Sequence, residues 1–131
     1  MKKILMMLLL LVSTNVFAVD WVAAGGTDDF TVYIDPQSIR RDGNKVRLWT
    51  MYNHKSVQEL SYTKKRYLSE VYREEYNCFE DTTRTIDRYW YSEKMGTGDI
   101  ALSAPNLTQP ATSVLPGSIG ATVLKAVCAT K

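Results

Sequence analysis

The chain has 131 residues, 45% of them hydrophobic, with 16 basic and 14 acidic side chains, which is the size of one domain. Its hydrophobic fraction is too high and its net charge of +2 too small for a disordered chain. The small positive excess resides in the first few residues, which belong to a different class of segment.

Met1, Lys2 and Lys3 make a short basic start, and Ile4 to Val12 is an unbroken apolar run. Val16-Phe17-Ala18 then places aliphatic or small side chains at the third and first positions before Val19. This layout predicts a secretory signal peptide, residues 1–18, cleaved after Ala18. The apolar run is about nine residues long against the ~20 that span a bilayer, so no membrane span is expected after cleavage. Removing 18 residues and two lysines leaves a single domain, residues 19–131, with 14 basic and 14 acidic side chains. Such neutrality argues against a nucleic-acid partner, because phosphate binding depends on clustered Lys and Arg releasing counterions. Val19 and Asp20, not a cysteine, follow the cleavage point. The expected product is therefore exported, to the periplasm or the cell surface, without a lipid anchor.

Two cysteines, Cys78 and Cys128, remain in the exported chain. An even count in an oxidising compartment favours a disulfide. Closing a loop of about 51 residues would contribute about 4 kcal/mol by chain entropy. The competing readings are weaker: one histidine, His54, and two distant thiols make a poor zinc set, and no CxxC supports thiol exchange.

In chain order, Trp21 to Ala24 reads as a short strand ended by the turn cluster Gly25-Gly26-Thr27-Asp28-Asp29. Phe30 to Ile34 alternates as a strand, with Phe30, Val32 and Ile34 on one face, and Asp35-Pro36 stops it. Asp42-Gly43-Asn44 is a hairpin signal. Lys45 to Tyr52 then alternates, with aliphatic Val46 and Leu48 opposed to Arg47, Trp49 and Met51. His54 to Lys65 lacks a period and is expected to be a loop. Arg66 to Tyr76 fits a strand better than a helix because of its tyrosines. Thr82 to Tyr91 is rich in β-formers and pairs with it across Phe79-Glu80-Asp81. Gly96-Thr97-Gly98 makes a turn, Ile100 to Leu102 a last short strand, and Ala104 to Leu115 has linker composition. Ser118 is placed as the N-cap of a helix from Ile119 to Cys128. Its only clearly polar residues are Thr122 and Lys125, so it is expected to be covered on most sides. The fold class is α+β and mostly β: an antiparallel meander with one terminal helix on its concave face, bolted down by Cys128.

Trp21, Tyr33-Ile34-Asp35 followed by Ser38-Ile39, Trp49, Cys78, Gly96-Thr97-Gly98, Pro116-Gly117-Ser118 and Cys128 follow one another in an order that resembles the bacterial surface-adhesin protein E family. The likeness spans essentially the whole of residues 19–131. The resemblance implies a curved antiparallel sheet of about six strands, with a C-terminal helix held by a Cys78–Cys128 bond. It also implies binding of host extracellular-matrix proteins and admits a homodimer.

No residue set converges on chemistry. His54 could serve a Ser-His-Asp site with Ser56 or Ser69, but no serine sits in a nucleophile elbow, and the histidine is expected in an exposed loop. Adjacent acids such as Asp28-Asp29 and Glu74-Glu75 point to opposite faces of a strand or are solvated in turns, which does not make a glycosidase pair. Asp28-Asp29 also lacks calcium-loop spacing. Lys64-Lys65-Arg66 is the only basic run and could meet a sulfated polysaccharide or an acidic partner. Glu70, Glu74, Glu75 and Glu80 follow closely, and the expectation is a mixed charged surface. Tyr62, Tyr67, Tyr72, Tyr76, Tyr89, Trp90 and Tyr91 either fill the layer between sheet and helix or form a binding face. The function expected is a non-enzymatic binding module for a protein partner, with no catalytic residue, metal or cofactor. The alternative is a periplasmic protein that holds a small ligand or envelope component beneath the helix.

Overall fold

The computed structural model describes residues 18–129, so the predicted leader, apart from Ala18, lies outside the described residues. Eight strands form one antiparallel, unclosed sheet: β1 (Val22–Gly26), β2 (Phe30–Ile34), β3 (Arg40–Asp42), β4 (Lys45–Glu59), β5 (Arg66–Asn77), β6 (Thr82–Tyr91), β7 (Ile100–Ala104) and β8 (Thr112–Ser113). Six of them make the continuous path β1-β2-β4-β5-β6-β7, which is the expected six-stranded sheet. The additional short strands β3 and β8 pair with the beginnings of β4 and β6. Among the described residues one α-helix, α1 (Ile119–Cys128), follows the sheet.

Local chemistry explains most boundaries. Asp35 ends β2 by capping a single 3₁₀ turn, Pro36–Ser38, where its carboxylate accepts from the Gln37 N–H at 3.1 Å. Ser38 Oγ in turn accepts from the Trp49 N–H at 2.9 Å and so ties this turn to β4. Ser118 caps α1 as expected, its hydroxyl accepting from the Ala121 N–H at 3.1 Å.

The core lies between α1 and one face of the sheet. Val123 and Val127 pack on Val32, Val46, Leu48 and Tyr76, each of the six at most 1% exposed. Cys78, just past the end of β5, is bonded to Cys128 in the last turn of α1, with a Cα–Cα separation of 5.6 Å. The bond fixes the helix C-terminus to the same end of the sheet that receives Val46 and Tyr76.

Three expectations need correction. β1 runs on through Gly25 and Gly26, with a register shift between Ala23 and Gly25. The glycine serves close packing there, because a Cβ on Gly25 would stand 3.2 Å from Thr122 Cγ2 of the helix. β4 extends to Glu59 instead of ending near Tyr52, so His54 lies on a strand. The helix is covered along one stripe only: Thr122, Lys125 and Ala126 are exposed.

Candidate functional site

Alternation along the central strands gives the sheet two chemically different faces. On the helix side, beyond Leu48 and Tyr76, the cross-strand rows are Thr50–Tyr72, Tyr52–Glu70, Tyr72–Arg88 and Glu70–Trp90. On the opposite side stand Trp49, Met51, Val71, Tyr89 and Tyr91.

Glu70 organises the first face. It is 5% exposed. Its Oε2 lies 2.7 Å from His54 Nε2, and its Oε1 accepts from the Arg88 guanidinium and, at 3.0 Å, from the Tyr72 hydroxyl. Burial alone would raise the Glu70 carboxyl, but hydrogen bonds from Arg88 and His54 outweigh it and hold the group below the ordinary carboxylate range. An ionised carboxylate only accepts, so His54 presents Nε2–H to it. The Arg88 guanidinium lies over the rings of Tyr72 at 4.8 Å and Trp90 at 4.2 Å. His54 is flanked edge-on by Phe30 and Tyr67 at 5.9 and 5.7 Å. The histidine expected in an exposed loop is thus a half-enclosed member of a charge network. The serines weighed as its partners lie elsewhere: Ser56 is exposed, and Ser69 donates to the Glu93 carbonyl on the other side of the sheet.

The two adjacent glutamates separate as their alternation requires. Glu75 is clamped by Arg47 at 2.7 Å and Arg84 at 3.1 Å on the far face; burial would raise it, and those two hydrogen bonds bring it below its ordinary value. Glu74 faces the helix layer, accepting from Tyr76 at 2.9 Å and Thr50 at 3.3 Å. Among the described residues no cation pairs with it, and burial raises its carboxyl in spite of both hydroxyls. A carboxyl raised by folding penalises the folded state at any pH above the unfolded value of 4.5. Glu74→Gln should therefore raise the unfolding midpoint at pH 7, with the gain vanishing below about pH 4. Thermal melts at both pH values check this, and an equal effect at each would contradict it.

The opposite face carries a cleft of about 700 Å³, lined by Trp21, Trp49, Val71, Tyr91, Met95 and Asp35 among others. One wall is the segment 93–97, folded down onto the sheet by the polar side chains of half-buried Asn53 and buried Ser69. Asn53 Oδ1 accepts from the Met95 N–H at 2.8 Å, and the Ser69 hydroxyl accepts from the Gly96 N–H at 2.9 Å. Met95 is held in the left-handed region at φ 59°, an arrangement that needs such anchoring in a non-glycine residue. Gly96 is also left-handed, and a Cβ there would stand 3.0 Å from Val71 Cγ2. A side chain at position 96 would therefore strain this wall.

The aromatic residues divide between roles. Tyr76 and Trp90 are buried, Tyr67, Tyr72, Tyr89 and Tyr91 are half-buried on the two faces, and Tyr62 is fully exposed. Sequence reasoning missed the Glu70–His54–Arg88 grouping and the cleft. Only the opposition of Trp49 and Met51 to the aliphatic face hinted at the second.

A family model described as surface-adhesin protein E matches residues 21–129. The chain belongs to this family. Solved structures of Haemophilus influenzae protein E share the fold. One from a non-typeable strain superposes with a TM-score of 0.64 at 19% identity, covering 88% of this chain and 79% of that one. A second crystal form gives 0.63 at 18% identity, covering 86% and 94%. No protein with a curated description matches the chain. Membership in the protein E family accounts for the open sheet, the single helix and the disulfide together. Among the described residues, no helix is long and apolar enough to cross a membrane.

Proposed function

We propose that residues 19–131 form an exported, non-enzymatic binding module that engages host extracellular-matrix proteins as an adhesin, following cleavage of the leader after Ala18. The observation that carries this reading is the family match along residues 21–129. The fold supports it by leaving amphipathic side chains such as Tyr62 on the surface, where tyrosine favours protein contacts. The test is external protease on intact cells, followed by fractionation. Digestion while a periplasmic marker survives supports the adhesin reading, and protection within the periplasm overturns it. Solid-phase binding of the purified domain to immobilised matrix proteins then identifies the partner, and light scattering of the same preparation reads whether it is a homodimer.

The 700 Å³ cleft favours a second reading, a small apolar ligand. Its place differs from the one expected: the layer beneath the helix is filled by Val123, Val127 and Tyr76, and the cleft opens on the other face. Trp21 and Trp49 line it, so an apolar fluorescent probe should quench tryptophan emission. Trp49→Ala should weaken the probe by about tenfold, in line with about 1.4 kcal/mol from one lost aromatic wall. Unaltered affinity in that variant would remove this reading.

A further inference from the structure

We propose that the hairpin arm joining β4 to β5 is a binding site for sulfated polysaccharide of the kind attached to host matrix proteins. The inference rests on the host-facing reading above and names a second chemistry for it.

The arm stands clear of the sheet. The last residue of β4 paired with β2 is His54, opposite Phe30, and the first residue of β5 paired with β6 is Ser69, opposite Tyr91. Between them the two strands pair with each other at Gln58–Tyr67 and Glu59–Arg66, and the base of the arm is tied to the β1–β2 turn by the Lys55 N–H donating to the Asp29 carbonyl at 2.9 Å. The tip is closed by the Leu60 N–H donating to the Lys65 carbonyl and the Lys64 N–H to the Leu60 carbonyl, both at 2.9 Å. Lys55, Lys64, Lys65 and Arg66 are all exposed, and Tyr62 at the apex is 100% exposed.

The acids that follow this basic run in sequence do not neutralise it in space. Glu70 and Glu74 turn inward on the helix face, and Glu75 lies between Arg47 and Arg84. At about 3.3 Å per strand residue, Glu75 is some 30 Å along β5 from Arg66. The screening length at physiological salt is only about 8 Å. Within the arm Glu59 lies 3.8 Å from Lys64, an exposed pair of little strength, and Asp29 adjoins only Lys55 at the base, where its carbonyl accepts from the Lys55 N–H. Residues 55–66 hold four cations and one carboxylate, whereas the rest of 19–131 holds ten cations and thirteen carboxylates. The neutral domain is therefore polarised, with a positive arm on a negative body, and a polyanion is steered to the tip.

The apex selects among polyanions. Ser61, Tyr62 and Thr63 all carry hydroxyls, which a bilayer would have to desolvate at a cost. A sugar ring can instead stack on the tyrosine while its hydroxyls and sulfates meet Ser61, Thr63 and the flanking cations. A stiff nucleic-acid duplex laid across the arm would also face the negative body, whereas a flexible polysaccharide engages the tip alone.

The experiment uses the oxidised mature chain with heparin as the sulfated probe, beside unsulfated hyaluronan, phosphatidylglycerol vesicles and duplex DNA. Heparin should bind at about 0.15 M salt, and the other three should bind at least tenfold more weakly. The variant carrying Lys64→Gln, Lys65→Gln and Arg66→Gln should lose about tenfold or more in affinity. Its log-affinity against log-salt slope should flatten by about 2, near 0.7 per lost contact. Tyr62→Ala should weaken heparin binding without altering that slope. Unchanged unfolding midpoints show that each variant folds. Heparin binding untouched by the triple substitution, no binding at all, or equal binding of vesicles or DNA overturns the proposal. Matrix proteins stripped of glycan are assayed in parallel, because the two readings fail separately there. Loss of binding to the stripped proteins overturns the protein-partner reading and leaves the arm's intact.

Discussion

Cys128→Ser is expected to lower the thermal unfolding midpoint by roughly 15 °C, corresponding to about 3–4 kcal/mol for a domain of this size. The bond joins residues 50 apart in sequence, and releasing that loop enlarges the unfolded ensemble. The folded state is affected as well. α1 has ten residues, too few to be stable by itself in water, and only Val123 and Val127 are fully buried on the sheet. Removing the bond at its C-terminus should therefore free the helix before the sheet melts. Hydrogen exchange would show protection falling first in residues 119–128 while β4 and β5 keep theirs. Wild-type protein in reductant should reproduce the variant's midpoint. A midpoint that neither reductant nor substitution moves would show that the apolar stripe alone fixes the helix.

How far the sequence foretold this depends on whether a residue's partners are local. β2, the first half of β4, and α1 with its Ser118 cap were legible because each buries one face, which imposes alternation or a helical stripe on consecutive residues. The second half of β4 was not. Residues 55–59 form one side of an arm in which none of them is buried, so nothing forces their polarity to alternate. Gly25 reads as a terminator because its role, room for Thr122, belongs to a helix almost 100 residues later, while Gly26 makes room for the Phe30 carbonyl where the chain turns into β2. The disulfide was legible from the redox logic of two cysteines in a chain whose leader predicts export. The Glu70 network was not, since His54 and Arg88 lie 16 and 18 residues from Glu70. Only the register of three strands brings them together, and a slip of one residue would have sent Glu70 to the other face. The same holds for the cleft, whose walls come from the N-terminal segment, three strands and the 93–97 loop.

Arg88→Ala should cost about 2–3 kcal/mol at pH 7, more than any surface ion pair, because it strands a carboxylate that is only 5% exposed. The cost is kept from being larger by Nε of the same guanidinium, which is buried without a hydrogen-bond partner, a penalty the substitution removes. The pH dependence has a definite sign. Folding holds the Glu70 carboxyl below its unfolded value of 4.5. Its stabilising contribution is therefore present above that value and is lost as pH falls through the folded one. The gap between wild type and Arg88→Ala should accordingly be full at pH 7 and narrow on acidification below about pH 4. Adding Glu70→Gln to Arg88→Ala should recover about half of the loss or more at neutral pH, since the stranded charge is gone while His54 and Tyr72 still have an acceptor. Denaturant melts of the four proteins of this double-mutant cycle, at both pH values, measure the coupling. If the double variant is as unstable as the sum of the two single ones, the pair does not act through its charges. The loss would then lie in the stacking of Arg88 on Tyr72 and Trp90, which carries no such pH dependence.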